Sequence, residues 1–183
     1  MRSLVRAALV ATGLAVVVAC GAGPATEAEL FPERPYVLDV ARVEPCAVLT
    51  EPQRRELGLR EGSSGTAQGG TSRGCAWPGH HGLGYTFQTL AVDASAAVGA
   101  EATSTIVDVN GFGAVQSAPP AEGTGLPFCQ VVIDVTDGAS LRAQLQVTPL
   151  AADAQQRTVD GTCEQVRDVA ALMLGNLRTQ QTP

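Results

Sequence analysis

The stretch CQVVIDVTDGASLRAQLQV, residues 129–147, decides the fold because it contains two runs of alternating apolar residues around a turn. The apolar positions are Cys129, Val131, Ile133 and Val135 in the first run, and Ala139, Leu141, Ala143, Leu145 and Val147 in the second. Successive side chains of a β-strand point to opposite faces of a sheet. The pattern therefore predicts a β-hairpin with one buried face.

The turn of this hairpin contains the pair Asp137-Gly138. A two-residue turn at this pair would place Val135 opposite Ser140 and would set apolar residues against polar ones along both strands. We therefore predict a three-residue loop that ends at Gly138, pairs Val135 with Ala139 and gives the glycine a positive φ.

In this register, Ile133 and Leu141 lie side by side on the buried face. Asp134 and Arg142 occupy the intervening positions, so they point away from that face.

Helix signals lie on both sides of the strand region. Thr50-Glu51-Pro52-Gln53 is typical of a capping box with proline in the first turn, and Gly58 stands at a C-cap position, which predicts a short helix over 51–57. A second, amphipathic helix is predicted over 162–178. Its apolar stripe consists of Cys163, Val166, Val169, Ala170, Met173, Leu174 and Leu177.

Further strand signals fill the region between the two helices. The expected segments are a loop to residue 72, strands over 73–77, 83–92, 105–109 and 113–117, a helical turn over 93–99, and a loop over 118–127. Hairpin-connected strands with flanking helices predict a single α+β domain built on an antiparallel sheet.

Cys20 follows a basic start and an apolar run of 13 residues, and it closes the string Val17-Val18-Ala19-Cys20. This string resembles a bacterial lipobox, in which the thiol receives a diacylglyceryl group with chains such as palmitate and the signal peptide is cut just before the cysteine. The sequence thus predicts a signal peptide over 1–19 and a lipid on Cys20. We expect the protein on the extracytoplasmic face of the cell membrane, because two or three acyl chains anchor a protein durably.

Two other interpretations of the N-terminus are an ordinary secretory signal and a transmembrane helix. A transmembrane helix would need about 20 apolar residues, which is longer than this run. The composition of residues 20–35, with Gly, Pro and acidic residues, is typical of a flexible tether. The domain is expected over 36–183.

The mature chain is acidic. Removing residues 1–19 from the 183 residues leaves 164, with ten arginines against eighteen acids and a formal charge of about −8. An acidic chain with seven scattered aromatic residues lacks the basic stripe and stacking platform of nucleic-acid binders, so we expect no nucleic-acid partner. All twelve basic residues are arginine, which suggests a GC-rich genome.

Four cysteines remain once Cys20 carries lipid, and two disulfides are expected in an oxidising compartment. Of the three possible connectivities we choose Cys46 with Cys75 and Cys129 with Cys163, because each bond then staples a terminal helix to a strand. A zinc site is the alternative. Since no two of the cysteines lie within four positions of each other, we expect neither a metal nor another cofactor.

Short motifs follow one another in a characteristic order. They are Pro45-Cys46-Ala47-Val48-Leu49-Thr50, Leu57-Gly58, Arg73-Gly74-Cys75-Ala76-Trp77, Cys129 at the start of an apolar strand and Cys163 at the start of the last helix. Together they resemble the actinobacterial lipoproteins catalogued as domain of unknown function 3558, over most of residues 40–178. The resemblance implies an anchored extracytoplasmic domain with no established activity.

Candidate site residues are few. His80 and His81 lie in a predicted turn without the Gly-x-Ser-x-Gly motif of a hydrolase, so no catalytic residue is assigned. Trp77, Tyr85 and Phe87 are the aromatic residues that we nominate for contact with a ligand or partner, although core packing is the favoured use of each.

These observations predict a non-catalytic lipoprotein that binds an envelope protein or ligand, or serves as a scaffold. A second hypothesis is a carrier that holds a lipid or small apolar ligand in a cavity between sheet and helix. A third is an envelope hydrolase, which would need a histidine within hydrogen-bond reach of a serine hydroxyl and an acid.

Overall fold

The computed structural model describes residues 30–101, 103–118 and 125–181. The predicted signal peptide, Cys20 and residues 21–29 of the predicted tether lie outside the described residues. None of the helices in the described ranges is long and apolar enough to span a bilayer.

Within these ranges, seven strands form one antiparallel sheet in the order β1-β2-β3-β7-β6-β5-β4. The strands are β1 (Ser63–Ala67), β2 (Ser72–Pro78), β3 (Leu83–Leu90), β4 (Thr105–Val109), β5 (Phe112–Ser117), β6 (Phe128–Thr136) and β7 (Ala139–Val147). Two α-helices accompany them, α1 (Glu51–Glu56) and α2 (Val159–Gln181). The predicted α+β class is confirmed.

The predicted hairpin is the β6–β7 pair near the centre of the sheet. Ile133 lies opposite Leu141 and both are fully buried, as the alternation predicted. Gly138 has a φ of 73°, which also agrees with the prediction. Asp134 and Arg142 lie on the other face.

The turn of this hairpin differs from the prediction. Thr136 pairs with Ala139 across a two-residue turn, so the expected pairing of Val135 with Ala139 is wrong. A bulge between Asp134 and Thr136 makes Val135 an extra residue in β6. A bulge shifts the register by one residue, and it thereby aligns the apolar positions that a regular two-residue hairpin would mismatch.

Helix α2 covers one face of the sheet and forms the main core with it. Its buried residues are Thr162, Cys163, Val166, Val169, Ala170, Met173, Leu174 and Leu177, which include the whole predicted apolar stripe. They pack on the apolar positions of β6 and β7. A helix stripe and an alternating strand face each bury against the other because neither is stable in water alone.

Helix α1 has the capping box that the sequence predicts. The backbone N–H of Thr50 donates to Gln53 Oε1 at 2.8 Å, and the backbone N–H of Gln53 donates to Thr50 Oγ1 at 3.4 Å. Asn176 of α2 donates to the same Gln53 oxygen at 2.7 Å and to the carbonyl of Val48 at 2.8 Å. The first helix is thus hydrogen-bonded to the last.

Both predicted disulfides are formed. Cys46 and Cys75 have a Cα–Cα separation of 5.0 Å, and Cys129 and Cys163 have one of 5.2 Å. The first bond ties the turn before α1 to β2, and the second ties α2 to β6.

The opposite face of the sheet is covered at one end by a smaller apolar cluster. Its buried members are Phe31, Leu90, Ala94, Val115 and Val132. Phe31 belongs to the segment 30–35 that the sequence assigned to the tether. It lies so close to β5 that a Cβ atom added to Gly113 would be only 2.7 Å from the Cβ of Phe31. Residues 30–35 are therefore packed on the sheet, and the tether that the sequence predicted over 20–35 does not include them.

The edge strand β1 was expected to be part of a loop. All five of its residues are exposed, so it has no apolar alternation that a sequence pattern could reveal. It is held by backbone pairing with β2, from Ser63 opposite Ala76 to Ala67 opposite Ser72.

Candidate functional site

The sheet face opposite α2 carries polar side chains across its middle strands. Because the strands are paired in register, these residues form rows across the sheet. The rows are Gly74-Gln88-Arg142-Val132, Ala76-Thr86-Gln144-Gln130-Ser117 and Pro78-Gly84-Gln146-Phe128. We call Thr86, Gln88, Gln130, Arg142, Gln144 and Gln146 the amide face; each of them is at least partly exposed.

The second row contains a chain of side-chain hydrogen bonds. Gln144 Nε2 donates to Gln130 Oε1 at 2.8 Å, and Gln130 Nε2 donates to Ser117 Oγ at 3.0 Å. The amide oxygen of Gln144 and the whole amide of Gln146 make no hydrogen bond within the described part of the chain. These groups remain available to a ligand.

Arg142 lies in the first row, beside Gln88. Its Nε donates to Gln88 Oε1 at 2.8 Å and its Nη2 donates to the same oxygen. Partial burial lowers the pKa of Arg142. Gly74 makes room for this pair, because a Cβ atom at that position would lie 2.8 Å from Gln88 Cγ.

A shallow hollow of about 270 Å³ lies over the second and third rows. Gln144, Gln146, Thr86 and the half-buried ring of Phe128 line one part of it, and small residues of β1–β3 such as Ala76 leave the other part open. The hollow thus presents amide groups next to one aromatic surface. This combination suits a polar ligand that lies along the sheet.

A larger surface hollow, of about 450 Å³, lies beside the N-terminal segment, but its polar groups bind one another. Arg34 donates from Nε and Nη2 to the two carboxylate oxygens of Asp134, at 2.8 and 2.6 Å, and from Nη1 to Asp137 at 2.5 Å. The hydrogen bond to Asp134 raises the pKa of Arg34 above its ordinary value. This cluster fastens residues 30–35 to the sheet.

The three nominated aromatic residues face α2 rather than solvent. Trp77, Tyr85 and Phe87 are 1%, 2% and 0% exposed, so their nomination for contact with a ligand or partner is corrected to the core packing that the sequence analysis favoured. A Cβ atom on Gly62 would lie 2.4 Å from Trp77 Nε1, which shows how closely the backbone covers the indole.

Tyr85 retains one polar contact in this core. Gln165 Nε2 on α2 donates to its hydroxyl oxygen at 2.7 Å. Burial raises the pKa of the Tyr85 phenol to about 12.

The space between the sheet and α2 is filled by side chains. Phe87, Leu145 and Leu174 are completely buried. A side chain beside a water-sized cavity would expose surface to it, so no such cavity adjoins these residues. The carrier hypothesis requires a cavity of several hundred Å³ at this place, and these residues form no wall of one.

His80 and His81 are exposed in the turn between β2 and β3. Within the described ranges, neither ring is hydrogen-bonded to a serine or to an acid, and no three His, Cys, Asp or Glu residues form a group that could hold a metal ion. The hydrolase hypothesis needs such a histidine contact.

Sequence reasoning nominated no residue of the amide face as a candidate site, and it placed Arg142 only on the face turned away from the core. These residues occupy the polar positions between the buried ones in β3, β6 and β7, which the alternation marks only as solvent-facing. The signal that could have found them is residue type, because these positions carry four glutamines in a chain whose acids outnumber its bases.

Comparison with known proteins gives one strong match and one distant likeness. No curated protein matches the chain. A protein from Bacteroides thetaiotaomicron VPI-5482, in a crystal structure at 1.50 Å resolution, is similar with 10% sequence identity and a TM-score of 0.34. The likeness covers 57% of this chain and only 39% of that one, so it carries no argument. Residues 15–176 match the family model described as "Protein of unknown function (DUF3558)", and the chain therefore belongs to that family.

Proposed function

We propose that the mature protein is a lipoprotein, anchored through Cys20 to the extracytoplasmic face of the cell membrane, that binds an envelope protein or ligand without catalysis. The amide face is the surface that we assign to this binding. The observation that carries the assignment is the row of partly exposed glutamines on the middle strands of a disulfide-stapled sheet.

Amide side chains suit recognition because each one both donates and accepts hydrogen bonds. The solvent side of an antiparallel sheet is usually polar, so polarity alone is unremarkable here. The support comes from amide groups that have no hydrogen-bond partner: the side-chain amide of Gln146 and the amide oxygen of Gln144 make no hydrogen bond within the described ranges. Rigid strands also position such groups more precisely than loops do.

The start of the domain is consistent with a membrane anchor. Nine residues separate Cys20 from Leu30, and a fully extended chain of that length reaches about 30 Å. Phe31 and Arg34 pack on the same side of the sheet as the amide face, since they contact Val132 and Asp134 there. A lipid on Cys20 would therefore keep the start of the domain, which lies on this side of the sheet, within about 30 Å of the membrane.

The anchor is tested by replacing Cys20 with serine and labelling cells with a fatty-acid analogue. The wild-type protein should take up label and remain in the membrane fraction, whereas Cys20→Ser should do neither. Label retained on the serine variant would disprove the lipobox interpretation.

The binding surface is tested with a photo-crosslinking amino acid in the anchored protein. Gln146 is exposed on the amide face, and Asp168 is exposed on α2 at the opposite side of the sheet, which makes it a matched control position. We expect discrete adducts in native membranes from position 146 and none from position 168. Equal adducts from both positions would refute the assignment of the amide face, and turnover of esters, peptides or glycans by the pure protein would refute the non-catalytic role.

A further inference from the structure

Arg142 has no carboxylate partner within the described residues, unlike four of the other arginines. Arg34, Arg55, Arg73 and Arg157 each pair with a carboxylate. Like three of these four arginines, Arg142 is partly buried, yet its hydrogen bonds within the described residues go only to Gln88. The acidic chain thus leaves a positive charge without a counterion on the amide face.

The chemistry of this pair fixes which groups remain free. A guanidinium only donates hydrogen bonds, so the atom of Gln88 that faces it must be the amide oxygen. The nitrogen of Gln88 therefore points elsewhere, and it makes no hydrogen bond within the described chain. Nη1 of Arg142 is also unused. Arg142 and Gln88 together present N–H donors and a positive charge.

The carboxylate at the neighbouring position of this face, Asp134, is already neutralised. Asp134, opposite Ser140, lies two pairs along the β6–β7 ladder from Arg142, which is the next position on the same face. Both of its oxygens accept hydrogen bonds from Arg34. On the other side of Arg142 the ladder continues with Gln144 and Gln130, which carry no charge.

Covering the sheet does not explain the guanidinium. The aliphatic part of Arg142 lies opposite the buried Val132, and a long side chain there shields apolar surface. Methionine or leucine would give that shielding without a partly desolvated charge. Gly74, which has no Cβ, leaves the space that Gln88 occupies beside Arg142.

The surroundings of the pair indicate the rest of the ligand. Uncharged amides that donate and accept together match hydroxyl groups, and the half-buried ring of Phe128 offers a flat apolar surface at the far end of the hollow. Planar donors such as a guanidinium match a carboxylate, with which they form charge-assisted hydrogen bonds.

We propose that Arg142 and Gln88 bind the carboxylate of an acidic saccharide whose hydroxyl groups lie over Gln130, Gln144 and Gln146. This inference rests on the proposed function, because it names the ligand class of the amide face.

The test measures binding by the full-length lipidated protein in detergent, with isothermal titration calorimetry. The probes are tri-galacturonate and a hyaluronan tetrasaccharide, each compared with its methyl ester, together with inorganic phosphate and a short acidic peptide. We expect at least one acidic saccharide to bind, and its ester to bind about tenfold more weakly or worse, since a charge-assisted contact is lost.

Three variants separate recognition from stability. Arg142→Gln and Arg142→Met should both weaken saccharide binding about tenfold or more, while Arg167→Gln on α2 should bind as the wild type does. The fluorescence of Trp77, the single tryptophan, reports whether each variant remains folded. Folded Arg142→Met that binds the saccharide normally would leave Arg142 only a shielding role and would overturn the proposal.

Other outcomes also decide the matter. Failure of both saccharides to bind the wild type, equal binding of acid and ester, or preference for phosphate or the peptide would each overturn the proposal. If adducts still form at position 146 in that case, the proposed binding function survives and only the ligand class is wrong. If neither adducts nor binding is seen, the proposed function fails as well.

Discussion

Removing the Arg34 side chain should detach the N-terminal segment from the sheet and destabilise the domain. The guanidinium makes two hydrogen bonds to Asp134, whose side chain is 3% exposed. Arg34→Ala leaves that carboxylate buried without a partner. Loss of one partner of a buried ion pair costs about 3–5 kcal/mol.

The lower end of that range applies here. The Arg34 side chain is 18% exposed, so water can enter the space that alanine leaves and can solvate part of the carboxylate. The second partner, Asp137, is 90% exposed and contributes little, on the order of 0.5 kcal/mol. We therefore expect Arg34→Ala to lower the free energy of unfolding by about 3 kcal/mol.

The assay is urea denaturation of the Cys20→Ser protein, followed by the fluorescence of Trp77. Asp134→Asn added to Arg34→Ala should recover part of the loss, because the buried charge is then gone. Asp137→Asn alone is the control and should cost less than about 1 kcal/mol. A loss below about 1 kcal/mol for Arg34→Ala, or a double variant no more stable than Arg34→Ala, would refute the reasoning.

Three further predictions follow from the fold. Gly138→Val should cost about 1–2 kcal/mol in the same denaturation assay, because a β-branched residue fits a φ of 73° poorly; an unchanged midpoint would contradict this. Replacing both Cys129 and Cys163 with alanine should cost about 2–5 kcal/mol, since the bond closes a loop of 34 residues, and an unchanged midpoint would show that the bond adds no stability. The unfolded chain loses the Tyr85 proton near pH 10 and the folded one near pH 12, so stability should be complete below about pH 10 and fall as the pH rises to about 12. An ultraviolet titration that shows this phenol ionising near pH 10 in the folded protein would disprove it.

The central hairpin was predictable because its signal is local. Alternation over residues 129–147 identified the buried faces of β6 and β7, and Gly138 identified the turn. The bulge was missed because a bulge and a longer loop correct the same apolar mismatch. Only the backbone path distinguishes the two, and the sequence carries no separate signal for it.

The burial of the three aromatic residues could be decided only by the fold. Trp77, Tyr85 and Phe87 alternate along β2 and β3, which predicts a shared face but not which face α2 covers. The disulfide between Cys46 and Cys75 lies on that same face, which belongs to the main core. The same ambiguity applies to the amide face, because it is the sheet face opposite these aromatic residues.

The segment Arg73-Gly74-Cys75-Ala76-Trp77 links the core to the candidate site. Its odd positions face α2, where Cys75 and Trp77 are buried. Its even positions face the other way, where Gly74 makes room for Gln88 and Ala76 lines the hollow. A larger residue at an even position would therefore displace the partner of Arg142 or fill the hollow without touching the disulfide, because successive side chains of a strand lie on opposite faces. The core constrains this strand at every second residue, and the small residues between leave room for Gln88 and for the hollow on the open face.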